Sequence, residues 1–174
     1  MKRETKKHIP IFISQLISIA LLVYADYLIK EAAVKNLCGK PAVVLINGFL
    51  GLRYAENTGA AFSMFSASTD ILSIVTGIFI AAGIIYLAFP KKRPVIYDIC
   101  IPAILAGGLG NLVDRLTRGF VVDYIQALFI DFPIFNFADC FVTCGAIALI
   151  IYLIYEICAE AKKEKEKKCG AADA

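Results

Sequence analysis

Apolar residues along this chain gather into four long stretches, and the polar residues fall between them. The stretches cover about 9–29, 71–89, 95–113 and 138–157. The second is the cleanest, since no acid or base interrupts it from Ile71 to Pro90. Its length matches the ~20 residues a helix needs to cross a hydrocarbon core, and the other three come close. The pattern predicts four membrane-spanning helices. The first stretch has a basic front and an apolar middle, but no small-x-small cleavage site follows it. It is expected to remain as a helix and not to be removed as a signal peptide. Between the first two spans, Val43-Val44-Leu45-Ile46 and Phe49-Leu50-Gly51-Leu52 flank Asn47-Gly48. Asn-Gly between apolar runs predicts a tight hairpin. The expected fold is a mainly α membrane protein, four transmembrane helices with a small outer-face β-sheet between helices one and two. Its β-rich segment is placed at about 41–62. A single integral membrane domain fills 1–174, ending in a solvated basic tail over about 158–174.

Composition sharpens the picture. Apolar residues make up 59% of the 174 and charged residues only 19%, against roughly 45–50% and 25% in soluble domains. A soluble cytosolic protein is excluded, and so is a nucleic-acid binder with a basic face. The 18 Lys and Arg are clustered: residues 2–7, Lys91 to Arg93, and Lys162 to Lys168 hold most of them. An even number of spans puts these three clusters on one side. The positive-inside rule makes that side the cytoplasm, with both termini in it.

Ionisable groups at membrane depth are costly and mark candidate functional sites. Here they gather at the outer ends of the spans. Asp26 and Lys30 end the first helix, and Asn111, Asp114 and Arg115 close the third. Asp123 follows in Phe120-Val121-Val122-Asp123-Tyr124, and Asn136 and Asp139 open the fourth. The lone histidine, His8, lies in the cytoplasmic tail, which excludes histidine-assisted nucleophiles and imidazole-bound metal at the outer layer. Carboxylates remain. Two facing aspartates share a proton, so one activates water while the other donates to a carbonyl oxygen. Asp123 and Asp139 are the best pair, since neither has a basic residue within two positions. Bland readings stand beside this one. Asp26 and Lys30, at i, i+4, also read as an ordinary interfacial ion pair. Asp114 and Arg115 read as structural partners, and by position alone Asp123 is a loop acid and Asp139 a helix N-cap.

Six cysteines, Cys38, Cys100, Cys140, Cys144, Cys158 and Cys169, are assigned neither a disulfide nor a metal. Cys140 and Cys144 sit one helical turn apart and read as small packing residues. The run Ala106-Gly107-Gly108-Leu109-Gly110 is expected to let helices approach closely.

Taken in order, Asn57-Thr58-Gly59-Ala60-Ala61-Phe62, Gly110-Asn111-Leu112-Val113-Asp114-Arg115, Val121-Val122-Asp123-Tyr124 and Phe135-Asn136-Phe137-Ala138-Asp139 closely resemble the motif series of the bacterial lipoprotein signal peptidases (type II signal peptidases). Asp26 with Lys30 matches the first motif of that series, and the resemblance covers roughly residues 10–158. It implies a membrane aspartic endopeptidase without cofactor or metal. Such an enzyme removes the signal peptide from diacylglyceryl-modified prolipoproteins, just before the lipidated cysteine. By the same resemblance Asp123 and Asp139 are the catalytic pair. Asp26, Lys30, Asn57, Gly59, Asn111, Asp114, Arg115 and Asn136 support the site and hold substrate. The implied partners are prolipoprotein substrates and membrane lipid, with no nucleic acid. The implied setting is the bacterial cell membrane, the protein a monomer with its active site toward the outer face. Tyr27, Tyr124 and Phe137 depart from the family's usual residues without removing a group the chemistry needs. A proton-coupled transporter would instead place acids near the bilayer midplane, and an assembly subunit would not require paired aspartates flanked by asparagines.

Overall fold

The computed structural model describes residues 2–59, 69–89 and 92–172, with side chains described only between 9 and 164. Ala60 to Phe62, the second half of the first outer motif, and the side chains of His8 and Cys169 lie outside the described residues. The elements run α1 (Lys2–Leu37), β1 (Val43–Ile46), β2 (Leu50–Asn57), α2 (Thr69–Ala88), α3 (Val95–Arg118), β3 (Val121–Ala127) and α4 (Phe137–Ala172). All four helices contain a segment long and apolar enough to cross a membrane.

α3 is the central helix and packs against α1, α2 and α4. Ile19, Ile80, Leu87, Leu105 and Ala106 form the buried centre of this bundle. Large apolar side chains such as Leu21, Ile74, Phe79 and Ile151 face outward instead, as expected where the surroundings are acyl chains and not water. Small residues set the helix spacing. A Cβ on Gly107 would lie 2.3 Å from the Ala138 carbonyl oxygen, and one on Gly145 would lie 2.8 Å from the Ile104 side chain. α3 and α4 therefore touch backbone to backbone near the outer end, as the glycine-rich run predicts.

At the opposite end, Pro102 interrupts α3. A helical proline frees the carbonyl four residues earlier, here that of Asp98. The Gln15 side chain from α1 reaches it at 3.4 Å and also donates to Asp98 Oδ1 at 2.9 Å. Arg93 Nε donates to the same Oδ1 at 2.7 Å, and its Nη atoms cap the Tyr86 and Leu87 carbonyls that end α2. One partly buried cluster thus staples α1, α2 and α3 together.

The expected hairpin is present: β1 and β2 pair antiparallel, and Gly48 adopts φ 68° while Phe49 N–H bonds to the Ile46 carbonyl at 3.0 Å. A third strand completes the sheet in the order β1-β2-β3. β3 comes from between α3 and α4 and pairs antiparallel with β2, setting Asp123 opposite Ala55. Three boundaries differ from the sequence reading. α1 continues to Leu37. α3 does not close at Asp114 and Arg115 but runs to Arg118, where Gly119, at φ 82°, returns its N–H to the Arg115 carbonyl. α4 extends to Ala172, so the tail after Glu160 is helical as far as it is described.

Candidate active site

The sheet lies over the ends of α1 and α3. Ala33 and Leu37 of α1 pack beneath Val122 and Tyr124 of β3. β3 is buried on both faces from Val121 to Tyr124, which carries Asp123 inward despite its charge.

The first turn of α4 approaches from the other side. A helix start leaves its first N–H groups without helical partners, and here side chains from three elements supply them. Phe137 N–H donates to the Tyr124 hydroxyl at 3.2 Å, and Ala138 N–H to Asp26 Oδ1 at 3.1 Å. Asn136 Oδ1 accepts from Asp139 N–H at 3.0 Å, while Asp139 Oδ2 accepts from Asn136 N–H at 3.0 Å. This reciprocal exchange is a capping box. Asn136 is the N-cap, and Asp139 occupies the third helical position instead of the cap position expected for it.

Asn136 also links the two aspartates. Its Nδ2 donates to Asp123 Oδ1 at 2.7 Å and to Asn111 Oδ1 at 3.1 Å. Asn111 in turn donates to Asp139 Oδ1 at 2.8 Å. Asn57, at the end of β2, donates to Asp123 Oδ2 at 2.9 Å, and its own Oδ1 accepts the Gly59 N–H at 3.1 Å. Each carboxylate therefore has both oxygens held by amide donors. Burial pushes the Asp123 carboxyl up to about 6, with the nearby Asp139 charge adding to the rise. The hydrogen bonds from Asn57 and Asn136 and the charge of Lys30 oppose it.

Lys30 organises the layer behind the aspartates. Its ammonium is 1% exposed and meets Asp26 Oδ2 at 2.8 Å, Asn111 Oδ1 at 2.8 Å and Asp114 Oδ2 at 3.2 Å. One hydrogen bond and two ion pairs thus surround it. Asp114 Oδ2 also receives the Val122 N–H at 3.1 Å, tying α3 to the start of β3, and Asp114 Oδ1 receives Arg118 Nε at 3.1 Å. Arg118 continues outward to Glu31 of α1.

Asp123 and Asp139 line one cavity of about 540 Å³, together with Asn57, Gly59 and Arg115, the Phe132–Phe135 loop, and Cys140, Thr143 and Cys144 of α4. A second cavity of about 260 Å³ opens between α2, α3 and α4. Arg115 and Asp139 belong to both walls. The Arg115 Nε is buried with no hydrogen-bond partner among the described residues.

Comparison with known proteins decides what this arrangement belongs to. Residues 18–155 match the family model described as signal peptidase (SPase) II. The chain belongs to the signal peptidase II family. The lipoprotein signal peptidase of Enterococcus faecalis is 38% identical over 87% of this chain and 91% of its own length. That of Latilactobacillus sakei is 41% identical over 77% and 89%. Two solved bacterial membrane enzymes, determined by the in meso method at 2.3 and 1.9 Å, superpose with TM-scores of 0.74 and 0.72. They are 29% and 30% identical to this chain, covering 83% and 80% of it and 89% and 92% of themselves. The chain is thus a protease on a multi-pass membrane frame.

The ten residues singled out from the sequence come together in this structure. Eight share one hydrogen-bonded and ion-paired network, Gly59 joins it through its N–H, and Arg115 stands at the wall between the cavities. Arg115 does not pair with Asp114, the partner expected for it; Lys30 and Arg118 take that role. Sequence reasoning missed the cavity-facing Cys140, Thr143 and Cys144 and the Phe132–Phe135 loop. Their positions directly after Asp139 and one turn beyond it, and just before Asn136, were the available signals.

Proposed function

We propose that this protein cleaves diacylglyceryl-modified prolipoproteins on the N-terminal side of the lipidated cysteine, using water activated between Asp123 and Asp139. The observation that carries the reading is that both aspartates line one cavity and are bound to the same asparagine, Asn136.

In this reading Asp123 holds the shared proton of the pair, consistent with its burial. Asp139, at the positive end of α4, takes a proton from water as that water attacks the peptide carbonyl carbon. Asp123 gives its proton to the carbonyl oxygen, forming a neutral tetrahedral diol. Return of a proton from Asp139 to the amide nitrogen lets the C–N bond break, and the diol proton goes back to Asp123. The pair ends as it began, and peptide and water have become acid and amine. Asn57, Asn111 and Asn136 hold both carboxylates in place, so no reorganisation is needed as charge moves. Arg115, with its unpartnered Nε, is placed to receive the substrate's peptide oxygen.

The larger cavity takes the peptide, and the apolar walls between α2, α3 and α4 take the acyl chains. The basic clusters support a cytoplasmic position for the opposite end of the bundle, and in this reading water and substrate reach the site from the outer side.

The test is cleavage by the purified full-length protein in detergent of a diacylglyceryl-modified prolipoprotein beside its unmodified form. Cleavage of the lipidated form at least 100-fold faster is expected. Equal rates would remove the lipid from the substrate definition, and no cleavage of either would overturn the reading.

A further inference from the structure

Two thiols that the proposed chemistry does not use face the reacting groups. Cys140 and Cys144 are not in disulfides, lie one turn apart on α4, and line the cavity that holds Asp123 and Asp139. Cys140 follows Asp139 directly, is partly buried and donates its Sγ–H to the Asn136 carbonyl oxygen at 3.5 Å. Cys144 is exposed. The cavity wall around them is largely apolar, with Phe132, Pro133, Ile134 and Phe135 opposite.

We propose that Cys144, with Cys140 as a second and slower position, is a reversible thiolation site for small apolar disulfides, and that its occupation closes the cavity to substrate. The inference rests on the peptidase reading above for its effect on cleavage, and on cavity geometry alone for the site itself. The step balances without a further reagent. Cys144 loses its proton and its sulfur attacks one sulfur of RS–SR. The Cys144–SR bond forms, the RS–SR bond breaks, and the departing RS⁻ takes up the proton. Cys144 is oxidised and half of the disulfide is reduced.

Helix geometry also sets the fate of the adduct. Side chains at i, i+4 on a helix have Cβ atoms ~5–6 Å apart, whereas a disulfide needs about 3.5–4.5 Å. Cys140 therefore cannot displace RS⁻ to form an intrahelical disulfide unless the first turn of α4 unwinds, and that turn is held by Tyr124, Asp26 and Asn136. The mixed disulfide persists until an external thiol removes it. Cys100, buried in the bundle, is the internal standard for an inaccessible thiol.

The experiment treats the full-length protein in detergent with 4,4′-dithiodipyridine, maps the adducts by mass spectrometry and measures cleavage of the lipidated prolipoprotein. Expected are adducts on Cys144 ahead of Cys140 and at least tenfold ahead of Cys100, a more than tenfold loss of cleavage, and recovery with dithiothreitol. The double variant Cys140→Ser/Cys144→Ser should keep most of its own untreated activity through the same treatment. Full modification of Cys144 with cleavage intact, or a double variant as sensitive as wild type, would overturn the proposal. So would labelling of Cys144 no faster than that of Cys100. If the untreated protein does not cleave, the peptidase reading fails, while the labelling ratio still decides the site.

Discussion

At the scale of single residues, Asn136 does three things at once: it caps α4, holds Asp123 and bonds to Asn111. Asn136→Ala is expected to lower kcat about 100-fold or more, the order seen when one preorganised donor is lost. The accompanying stability loss should be only about 1–2 kcal/mol, so kinetics and thermal unfolding separate the two effects. Lys30 behaves in the opposite way. Lys30→Met leaves Asp26 buried without a cation and Asp114 with Arg118 alone, a loss on the order of 3–5 kcal/mol. A large fall in melting temperature checks this, and Asp26→Asn in the same chain should recover part of it. The pH dependence arises from Asp123. Its carboxyl, raised to about 6, is protonated below that value and ionised above it. kcat/KM should therefore fall as pH rises past the pKa of the free pair. The Asn57 hydrogen bond pulls that value down, so Asn57→Ala should move the alkaline limb to higher pH. A limb that stays in place or moves down would contradict the proton assignment. Eight of the ten residues were visible in the sequence as polar groups near the outer ends of the spans, while Asn57 and Gly59 were reached only through the family resemblance. What the sequence did not carry was their wiring, because Lys30 reaches Asn111 and Asp114 across 81 and 84 positions of chain.

Among the elements, the contact between α3 and α4 positions everything else. Gly107 faces the Ala138 carbonyl and Gly110 faces Asp26 Oδ2, where a Cβ would lie 2.3 and 2.5 Å away. Gly107→Ala and Gly110→Ala should each reduce activity sharply by pushing apart the elements that carry the network. Gly77→Ala on α2 meets nothing within 4 Å and should leave activity unchanged with a slight gain in stability. Melting temperature and cleavage rate, measured on all three, test the contrast. The four helices and the hairpin were legible because uninterrupted apolar length and Asn-Gly are local signals. β3 was not, for a physical reason: its first four residues are all buried, so it lacks the alternation that marks a half-exposed strand. The end of α3 was misplaced for a related reason. Polar residues were read as the end of a helix, but Asp114 and Arg118 are satisfied by Lys30, Val122 and Glu31, and the helix stops only where Gly119 permits a left-handed turn.

For the molecule as a whole, charge and chemistry sit at opposite ends. The basic clusters flank one end of the spans, and the aspartates with the sheet lie at the other. The proposed orientation, with both termini cytoplasmic, predicts that a C-terminal green fluorescent protein fusion is bright and a C-terminal alkaline phosphatase fusion inactive. The reverse pair of results would place the site on the wrong side for its proposed substrate. The central claim is that Asp123 and Asp139 act as one catalytic unit. The measurement that tests it most directly is cleavage of lipidated prolipoprotein by wild type, Asp123→Asn, Asp139→Asn and the double variant, each confirmed folded by its thermal transition. Both single variants should lose at least 1,000-fold in kcat/KM, and the double variant should be no worse than either, as groups acting together are strongly non-additive. A folded single variant with near wild-type activity, or losses that multiply in the double variant, would contradict the paired mechanism.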